Sequence, residues 1–181
     1  MGSKVKWDSL LAGKVRVTED IFIGLGANLP SDAGSPVATL EKAVADIAAA
    51  GIAIRRRSPW FETAPVPRAE DQPWYVNGVI AVGTDLSPKD LLVLLQRLEA
   101  AAGRVRSVAN AARPLDLDII AYGDRVEAAV DPLLPHPRME LRAFVLMPLQ
   151  AIAPHWRHPV SGRRVAELIA ALPPDQEIRL L

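Results

Sequence analysis

The sequence has 181 residues, of which 50% are hydrophobic, which is enough for one well-filled core but few for two independent domains. Lys plus Arg and Asp plus Glu number 21 each, so a net positive field that gathers nucleic acid or anionic lipid is excluded. The absence of cysteine excludes disulfides, thiolate nucleophiles and cysteine-ligated metals, and it favours a reducing compartment, so we expect a cytoplasmic protein.

Two regions are expected along the chain. Residues 1–20 are interpreted as a polar leader or arm, because their short apolar group is too small for a signal-peptide core. Residues 21–181 are interpreted as one domain. No apolar run approaches the roughly 20 residues that a membrane helix needs, so we expect no membrane partner.

Periodicity and turn residues predict the elements of that domain. Short apolar or alternating runs predict four strands, at Ile21–Leu25, Ile52–Glu62, Trp74–Thr84 and Leu115–Tyr122. Ser-Pro caps followed by apolar residues at helical spacing predict two helices, from Pro36 to before Gly51 and from Pro88 to before Gly103. Two short helices are expected around 141–151 and 165–172.

The resulting order, β-α-β-β-α-β, is typical of a ferredoxin-like sandwich in the α+β class. We therefore expect an antiparallel sheet with helices packed on one face and the other face open to ligands, followed by a C-terminal extension.

An acid pair lies in the fourth predicted strand. Because side chains alternate along a strand, Asp116 and Asp118 point to one side, about 6.5 to 7 Å apart, while Leu115, Leu117 and Ile119 point to the other. Two carboxylates at this pitch can share hard cations such as magnesium, which prefers one or two carboxylates plus phosphate oxygens. A solvated strand face would give the same pattern.

Arginines precede this pair. Arg104, Arg106 and Arg113 all lie within twelve residues ahead of Asp116, and guanidinium groups stabilise charge on a transferring phosphoryl group. Surface arginines are the alternative interpretation. A P-loop motif is absent, and Gly24-Leu25-Gly26 is interpreted as a tight turn at a strand end, so phosphates would be held by side chains and metal.

An aromatic group forms a third candidate site. It comprises Phe61, Trp74, Tyr75 and Phe144, and Asn77 shares a strand face with Tyr75. Two rings and an amide could hold a flat heterocycle, although the rings could equally belong to the core.

Six motifs follow one another from about residue 21 to the C-terminus. They are Gly26-Ala27-Asn28-Leu29; Thr63-Ala64-Pro65 through Asp71-Gln72-Pro73 to Tyr75-Val76-Asn77; Gln96-Arg97-Leu98-Glu99 with Gly103-Arg104-Val105-Arg106; Arg113-Pro114-Leu115-Asp116-Leu117-Asp118-Ile119; Leu134-Pro135-His136-Pro137-Arg138-Met139; and Arg142-Ala143-Phe144. In this order they resemble the 6-hydroxymethyl-7,8-dihydropterin pyrophosphokinase family of folate biosynthesis.

The resemblance implies a ferredoxin-like fold and attack of the pterin hydroxymethyl oxygen on the β-phosphorus of ATP, with AMP leaving. It implies that Asp116 and Asp118 hold two magnesium ions and that Arg104 and Arg113 neutralise developing charge. The implied partners are ATP and hydroxymethyl-dihydropterin, without nucleic acid or membrane, and the chain is expected to act as a monomer.

The resemblance also implies binding residues. Those for the nucleotide are Gln96, Arg104, Arg106, His136 and Arg142. Those for the pterin are Thr63, Ala64, Val66, Tyr75, Asn77 and Phe144. Tyr75 and Phe144 would sandwich the ring, and Asn77 with the backbone around 63–66 would contact its edge.

The chain departs from the family pattern in one loop. Relatives often carry a basic residue followed by an aromatic residue where this chain has Ala109 and Asn110, and the loop is about one residue shorter. Closure of the loop 107–112 over the nucleotide is therefore expected to depend on its flanking arginines.

Two other classes share this order of elements. RNA-recognition domains need a basic face and exposed rings on the central strands, where this chain offers only Phe22 and Tyr122. A regulatory ligand-binding module would not need paired acids beside arginines.

Overall fold

The computed structural model describes residues 20–65, 72–104 and 113–181. The strands are β1 (Ile21–Ala27), β2 (Ala53–Arg57), β3 (Phe61–Thr63), β4 (Tyr75–Gly83), β5 (Asp116–Tyr122) and β6 (Ile178–Leu180). The helices are α1 (Pro36–Ala49), α2 (Pro88–Ala101), α3 (Ala143–Ile152) and α4 (Val165–Ala170), with a 3-10 turn at Met139–Leu141 before α3.

These strands form one antiparallel sheet. Its order is β5-β1-β4-β3-β6, and β2 pairs with the other half of β4. The predicted order of elements and the predicted ferredoxin-like fold are confirmed. In this order β1 lies between β5, which carries the two acids, and β4, which carries Asn77.

The predicted strand over 52–62 is interrupted, so that β2 and β3 are separate. The break falls at Ser58 and Pro59, and proline has no N–H to donate to a neighbouring strand. Ser58 takes over the pairing at this point: its N–H donates to Val79 O (3.0 Å), and its hydroxyl accepts from Val79 N (3.0 Å). As a result, two short strands pair with one long strand.

Helices α1 and α2 pack on one face of the sheet, as predicted. Their first turns are capped by Ser35 and Ser87, whose hydroxyls accept from Ala38 N (3.3 Å) and Asp90 N (3.1 Å). Their apolar sides, including Leu40 and Leu95, are fully buried against β1 and β5. None of the helices in the described part of the chain combines the length and apolar character needed to cross a membrane.

The opposite face was expected to be open, and this expectation is wrong for much of the sheet. A second apolar cluster lies there, in which Phe22, Val79 and Ile120 from the sheet pack against residues of α3 and α4 such as Leu146. The reason is that these strands carry apolar residues on both faces at this end, and both faces must be covered. The described residues leave the other end of this face, near the start of β5, accessible.

Gly24 and Gly26 form part of that accessible region and do not make the turn that was predicted. Both lie inside β1, paired with β4 and β5. A Cβ atom at Gly26 would lie 2.9 Å from Asn77 Oδ1, and one at Gly24 would lie 3.1 Å from Ile120 Cδ1. Because these two positions carry no side chains, Asn77 and Ile120 can pack close to β1, and both glycines line a shallow trough beside them.

Candidate active site

Asp116 and Asp118 project from β5 toward the trough. Leu117 and Ile119 point the other way, into the core under α1 and α2, as the alternation along the strand predicted. The side chains of Asp116 and Asp118 are 29% and 41% exposed, so both carboxylates can be reached by a ligand.

Asp116 is held by two guanidinium groups. Its Oδ1 accepts from Arg104 Nη1 (2.5 Å) and from Arg113 Nη1 (3.1 Å). Arg104 also forms an ion pair with Glu99, a residue of α2 that is only 2% exposed. Glu99 in turn accepts from the backbone N–H of Leu117 (2.8 Å), which ties α2 directly to β5. These contacts fix one carboxylate and one arginine relative to the sheet.

Asn28 fixes the entrance to β5. It is 2% exposed, and its Oδ1 accepts from Arg113 N (2.9 Å) while its Nδ2 donates to Pro73 O (3.2 Å). Its backbone N–H donates to Arg113 O (3.2 Å). The phenol of Tyr75 hydrogen-bonds to Arg113 and Asn28, and burial raises its pKa, so this phenol stays protonated. A single buried amide thus joins the ends of β1 and β5 to the loop before β4.

Asp118 has longer contacts than Asp116. His136 Nε2 lies 3.8 Å and Arg142 Nη1 lies 3.9 Å from Asp118 Oδ2, beyond hydrogen-bond distance. Burial and the neighbouring Asp116 raise the pKa of Asp118 to about 6. Among the described residues, the positive charge near Asp118 thus does not offset the combined effect of burial and of repulsion from Asp116.

His136 is a neutral hydrogen-bonding group in this site. Burial and the nearby Arg142 and Arg138 lower its pKa to about 4. Its Nδ1 accepts from Arg138 N (3.1 Å), so in the neutral ring Nε2 carries the proton and faces Asp118. It can donate one hydrogen bond to an anion without carrying a charge.

The trough is closed on one side by α3. Gly24 and Gly26 form its floor, Asn77 and the two acids lie at its sides, and Phe144 lies over it. Asn77 Nδ2 donates to Thr63 Oγ1 (2.7 Å), which turns Asn77 Oδ1 toward Gly26. The guanidinium of Arg142 lies over the Phe144 ring, 5.3 Å from its centre. The result is a flat slot with an amide oxygen at one end and carboxylates at the other.

The donor set fits magnesium bound together with phosphates. Within the described residues no group of three or more His, Cys, Asp or Glu side chains could hold a metal ion. Two adjacent carboxylates, one of which has a raised pKa, are nevertheless suitable ligands for a hard cation that takes its other ligands from phosphate and water.

Comparison with known proteins identifies the family. The family model of 7,8-dihydro-6-hydroxymethylpterin-pyrophosphokinase (HPPK) matches residues 22–154. Proteins named 2-amino-4-hydroxy-6-hydroxymethyldihydropteridine pyrophosphokinase match at 40% identity in Synechocystis sp., over 81% of this chain and 73% of that protein, and at 38% in Methylorubrum extorquens, over 85% and 94%. The chain belongs to the HPPK family.

A solved structure supports the fold. A Plasmodium falciparum HPPK-DHPS chain superposes with a TM-score of 0.64 at 14% identity, over 90% of this chain and 46% of that chain. This chain thus spans less than half of that longer protein. The family predicted from the sequence motifs is confirmed, and with it the reaction class, pyrophosphoryl transfer in folate biosynthesis.

Most of the predicted site residues converge on the trough of this HPPK chain. Those that line it are Asn77, Asp116, Asp118 and Phe144, and those that face the acids are Arg104, Arg113, His136 and Arg142. Gln96 lies half-buried on α2 and does not line the trough. Val66, Arg106, the loop 107–112 and residues 1–19 lie outside the described residues.

Three residues that were predicted to contact the pterin do not line the trough. Thr63 is 4% exposed and reaches the trough only through Asn77. The backbone N–H of Ala64 donates to Glu177 O (3.1 Å). Tyr75 directs its hydroxyl toward Arg113 and Asn28 and does not line the trough. Of the other aromatic candidates, Trp74 lies under the guanidinium of Arg179, with 4.8 Å to the ring centre.

The two rings that an RNA-recognition domain would expose are not available. Phe22 is 2% exposed and packs edge-on against Trp156, with 6.2 Å between ring centres. Tyr122 donates to Leu86 O and lies under Arg125, 4.9 Å from its ring centre. Both rings are thus already packed against other side chains.

Glu99 and Asn28 were in the quoted motifs but were not predicted as site residues. Glu99 follows Leu91 and Leu95 at intervals of four, so it shares the buried side of α2. A carboxylate on a buried helix side needs a partner, and this is the signal that could have identified it.

Glu99→Ala is expected to destabilise the fold by roughly 2 to 4 kcal/mol, because it leaves the Leu117 N–H and the Arg104 guanidinium without a buried acceptor. Glu99→Gln keeps an acceptor for Leu117 and should cost less. Urea denaturation of both variants measures this. A cost near zero for Glu99→Ala would show that the network does not hold β5.

Asp118→Asn is expected to raise the melting temperature of the ligand-free chain. The pKa of Asp118 is raised to about 6 in the folded state, so the stabilisation that protonation provides is lost as the pH rises through 6. Asparagine stays neutral, so the gain should be seen at pH 8 and should shrink toward pH 4. It should be a few degrees at most, because the side chain is 41% exposed and solvent screens the repulsion. A lower melting temperature at pH 8 would contradict this account.

Proposed function

We propose that this chain binds ATP and 6-hydroxymethyl-7,8-dihydropterin side by side in the trough and transfers the pyrophosphoryl group from one to the other. The observation that carries the proposal is the arrangement across three strands. Asn77 on β4, Gly26 on β1 and Asp116 on β5 lie in one row, because Gly26 pairs with both of the other residues. This row sets the backbones of Asn77 and Asp116 about 10 Å apart, which is two strand spacings, and Asn77 Oδ1 reaches toward Gly26 between them.

The pterin would lie over the two glycines. A flat bicyclic ring packs best on a floor without protruding side chains, and Gly24 and Gly26 contribute only backbone to the lining of the trough. Phe144 would cover the ring from the α3 side. Asn77 Oδ1, already oriented by Thr63, would accept from the amino edge of the pterin. With that edge at Asn77, the hydroxymethyl group would extend toward the acids.

The nucleotide would lie along the β5 side. Arg104, Arg113, His136 and Arg142 surround the acid pair, and their side chains are 15% to 18% exposed. These four groups supply three positive charges and one neutral donor toward a triphosphate. Gln96 and Arg106 are proposed as further nucleotide contacts on the basis of the family resemblance alone.

Asp116 and Asp118 would hold two magnesium ions, which when bound offset the phosphate charge and lower the pKa of the attacking hydroxyl. Asp116 would give up hydrogen bonds to Arg104 and Arg113 when it takes up this role. Because a guanidinium has five N–H donors in a rigid fork, each arginine could then turn the released donor toward a phosphate oxygen. The ion pairs of the free chain thus hold the arginines close to where the charge develops.

The reaction breaks one P–O bond and forms another. The pterin hydroxymethyl oxygen bonds to the β-phosphorus of ATP, and the bond from that phosphorus to the oxygen bridging to the α-phosphate breaks. The bridging oxygen leaves with AMP, and the proton of the hydroxymethyl group passes to water or to a phosphate oxygen. His136 would donate its Nε2–H to a phosphate oxygen, since its lowered pKa makes it neutral and thus a poor source of a full proton.

We propose further that residues 21–181 act as one pyrophosphokinase domain and as a monomer in the cytoplasm. In support of a single domain, α3 and α4 pack on the same sheet as β1–β5, and β6 pairs with β3 at its edge. Size-exclusion chromatography with light scattering tests the oligomeric state.

Phosphorus NMR tests the proposed function directly. The chain is mixed with ATP, magnesium and hydroxymethyl-dihydropterin, and signals of AMP and the pterin diphosphate should appear together. ADP in place of AMP would indicate transfer of a single phosphoryl group. Binding of both ligands without AMP would indicate a regulatory module.

Asp118→Asn should lower kcat by at least about a hundredfold, because it removes one of two carboxylate charges from the cation site. Of the two acids, Asp118 gives the cleaner test, since its fold contacts are the longer ones. Asp116→Asn should lower kcat similarly but should also cost stability, because Arg104 and Arg113 lose their charged partner. Turnover within a few-fold of the parent at saturating magnesium would remove the metal assignment.

Phe144→Ala should weaken pterin binding by roughly 1 to 3 kcal/mol through lost ring contact, with a smaller effect on ATP affinity. Titration calorimetry with a non-hydrolysable ATP analogue and magnesium measures both. Phe144→Leu is a control that keeps an apolar side chain but not the flat ring. Its pterin affinity should lie between those of the parent and of Phe144→Ala. Equal losses of ATP and pterin affinity would instead assign Phe144 to the general packing of α3.

A further inference from the structure

The C-terminal segment Gln176–Leu180 lies beyond residues 22–154, which the family model matches. It nevertheless contacts the backbone next to two parts of the trough, the one that carries Phe144 and the one that carries Asn77. Its last three residues form β6, the edge strand that pairs with β3. The residue before β6, Glu177, and the residue before that, Gln176, contact backbone groups next to candidate pterin residues.

The Gln176 side chain bridges the backbone on both sides of Arg142. Its Oε1 accepts from Ala143 N (2.8 Å), the first residue of α3, and its Nε2 donates to Leu141 O (2.9 Å). The N-cap residue of α3, Arg142, makes no side-chain capping bond of its own. Gln176 therefore supplies from a distant part of the chain the acceptor that a helix N-terminus requires.

The orientation of two site residues follows from this bridge. Arg142 lies between the two backbone groups that Gln176 binds, and its guanidinium lies 3.9 Å from Asp118 Oδ2. Phe144 follows one residue after Ala143, in the same first turn, and lines the trough. A shift of this turn would move the ring and the guanidinium together.

The same segment also contacts β3, which supports the side of the trough where Asn77 lies. Glu177 O accepts from Ala64 N (3.1 Å), and Ile178 pairs with Thr63. Thr63 Oγ1 accepts from the Asn77 amide, which presents its oxygen to the trough. Two consecutive residues, Gln176 and Glu177, thus connect the wall that carries Phe144 to the wall that carries Asn77.

We infer that Gln176–Leu180 is a brace that sets the spacing of the pterin slot, and that Gln176 is a positioning residue acting through Phe144. This inference rests on the proposed function, since it concerns the pterin site of that reaction. Gln176 itself does not line the trough. Its effect on the ligand therefore depends on the helix turn that it caps.

The test is a double-mutant cycle in the full chain, read out by the Kd of hydroxymethyl-dihydropterin with magnesium and a non-hydrolysable ATP analogue. Gln176→Ala should weaken pterin binding about fivefold to twentyfold, on the scale of losing one or two hydrogen bonds. In the Phe144→Ala background the same substitution should change the Kd by less than about twofold, because the group it positions is gone. Equal effects in both backgrounds would overturn the inference.

Two further variants and a second measurement separate positioning from general destabilisation. Gln176→Glu keeps the acceptor for Ala143 N and loses the donor to Leu141 O, so its effect should be intermediate. Asp175→Ala, one residue earlier and exposed, should leave the Kd unchanged within about twofold. Hydrogen exchange should be faster in Gln176→Ala at residues 141–146. Faster exchange there without a change in pterin Kd would overturn the positioning role.

The two proposals fail in different ways. If the parent chain neither binds the pterin nor releases AMP, the proposed function fails, and this inference fails with it. If the parent chain binds the pterin and Gln176→Ala binds it equally well, only the inference about the brace is wrong.

Discussion

Repulsion between two carboxylates on one strand face is the constraint on which the site depends. The described residues offset this repulsion unequally. Asp116 accepts hydrogen bonds from two guanidiniums, whereas His136 Nε2 and Arg142 Nη1 lie 3.8 and 3.9 Å from Asp118. Burial, together with the repulsion from Asp116, raises the pKa of Asp118 to about 6. A cation with its own phosphate ligands would relieve the repulsion, so the stability of the free chain and its capacity to bind metal oppose each other at this residue.

The charged side of the site is built on the core. Glu99 is buried between α2 and β5, where it accepts from Leu117 N and pairs with Arg104. An ion in such a position is tolerated only when its hydrogen bonds are satisfied, which restricts the relative placement of helix and strand. The geometry of Arg104 at Asp116 therefore follows from the packing of α2 on the sheet, and a rigid support of this kind suits a site that must hold phosphates in register.

Sequence periodicity predicted most of the fold, because the long helices have Ser-Pro caps and the strands have clear apolar alternation. It missed the break at Ser58, where a side chain replaces backbone pairing, and it misread Gly26 as a turn, since a glycine that leaves space within a strand resembles one that permits a bend. The acids, arginines and Phe144 could be predicted because short motifs carry them. The contacts of Glu99, Asn28 and Gln176 could not, because each joins segments that are distant in sequence.

The two ends of the sheet therefore serve different purposes. On the side opposite α1 and α2, one end of the sheet is covered by α3 and α4, and the other end is left open by two glycines of β1. Under the proposed function the pterin ring would lie over β1 and β4 and the phosphates over β5, so the transfer would run across the strands. Gly24 and Gly26 have no side chains that could set the distance between β1 and the element opposite it, which is the height of the slot. Its height would then be set by α3, which contributes Phe144 to the trough. A cap on the first turn of α3 would therefore affect pterin binding without touching the ligand.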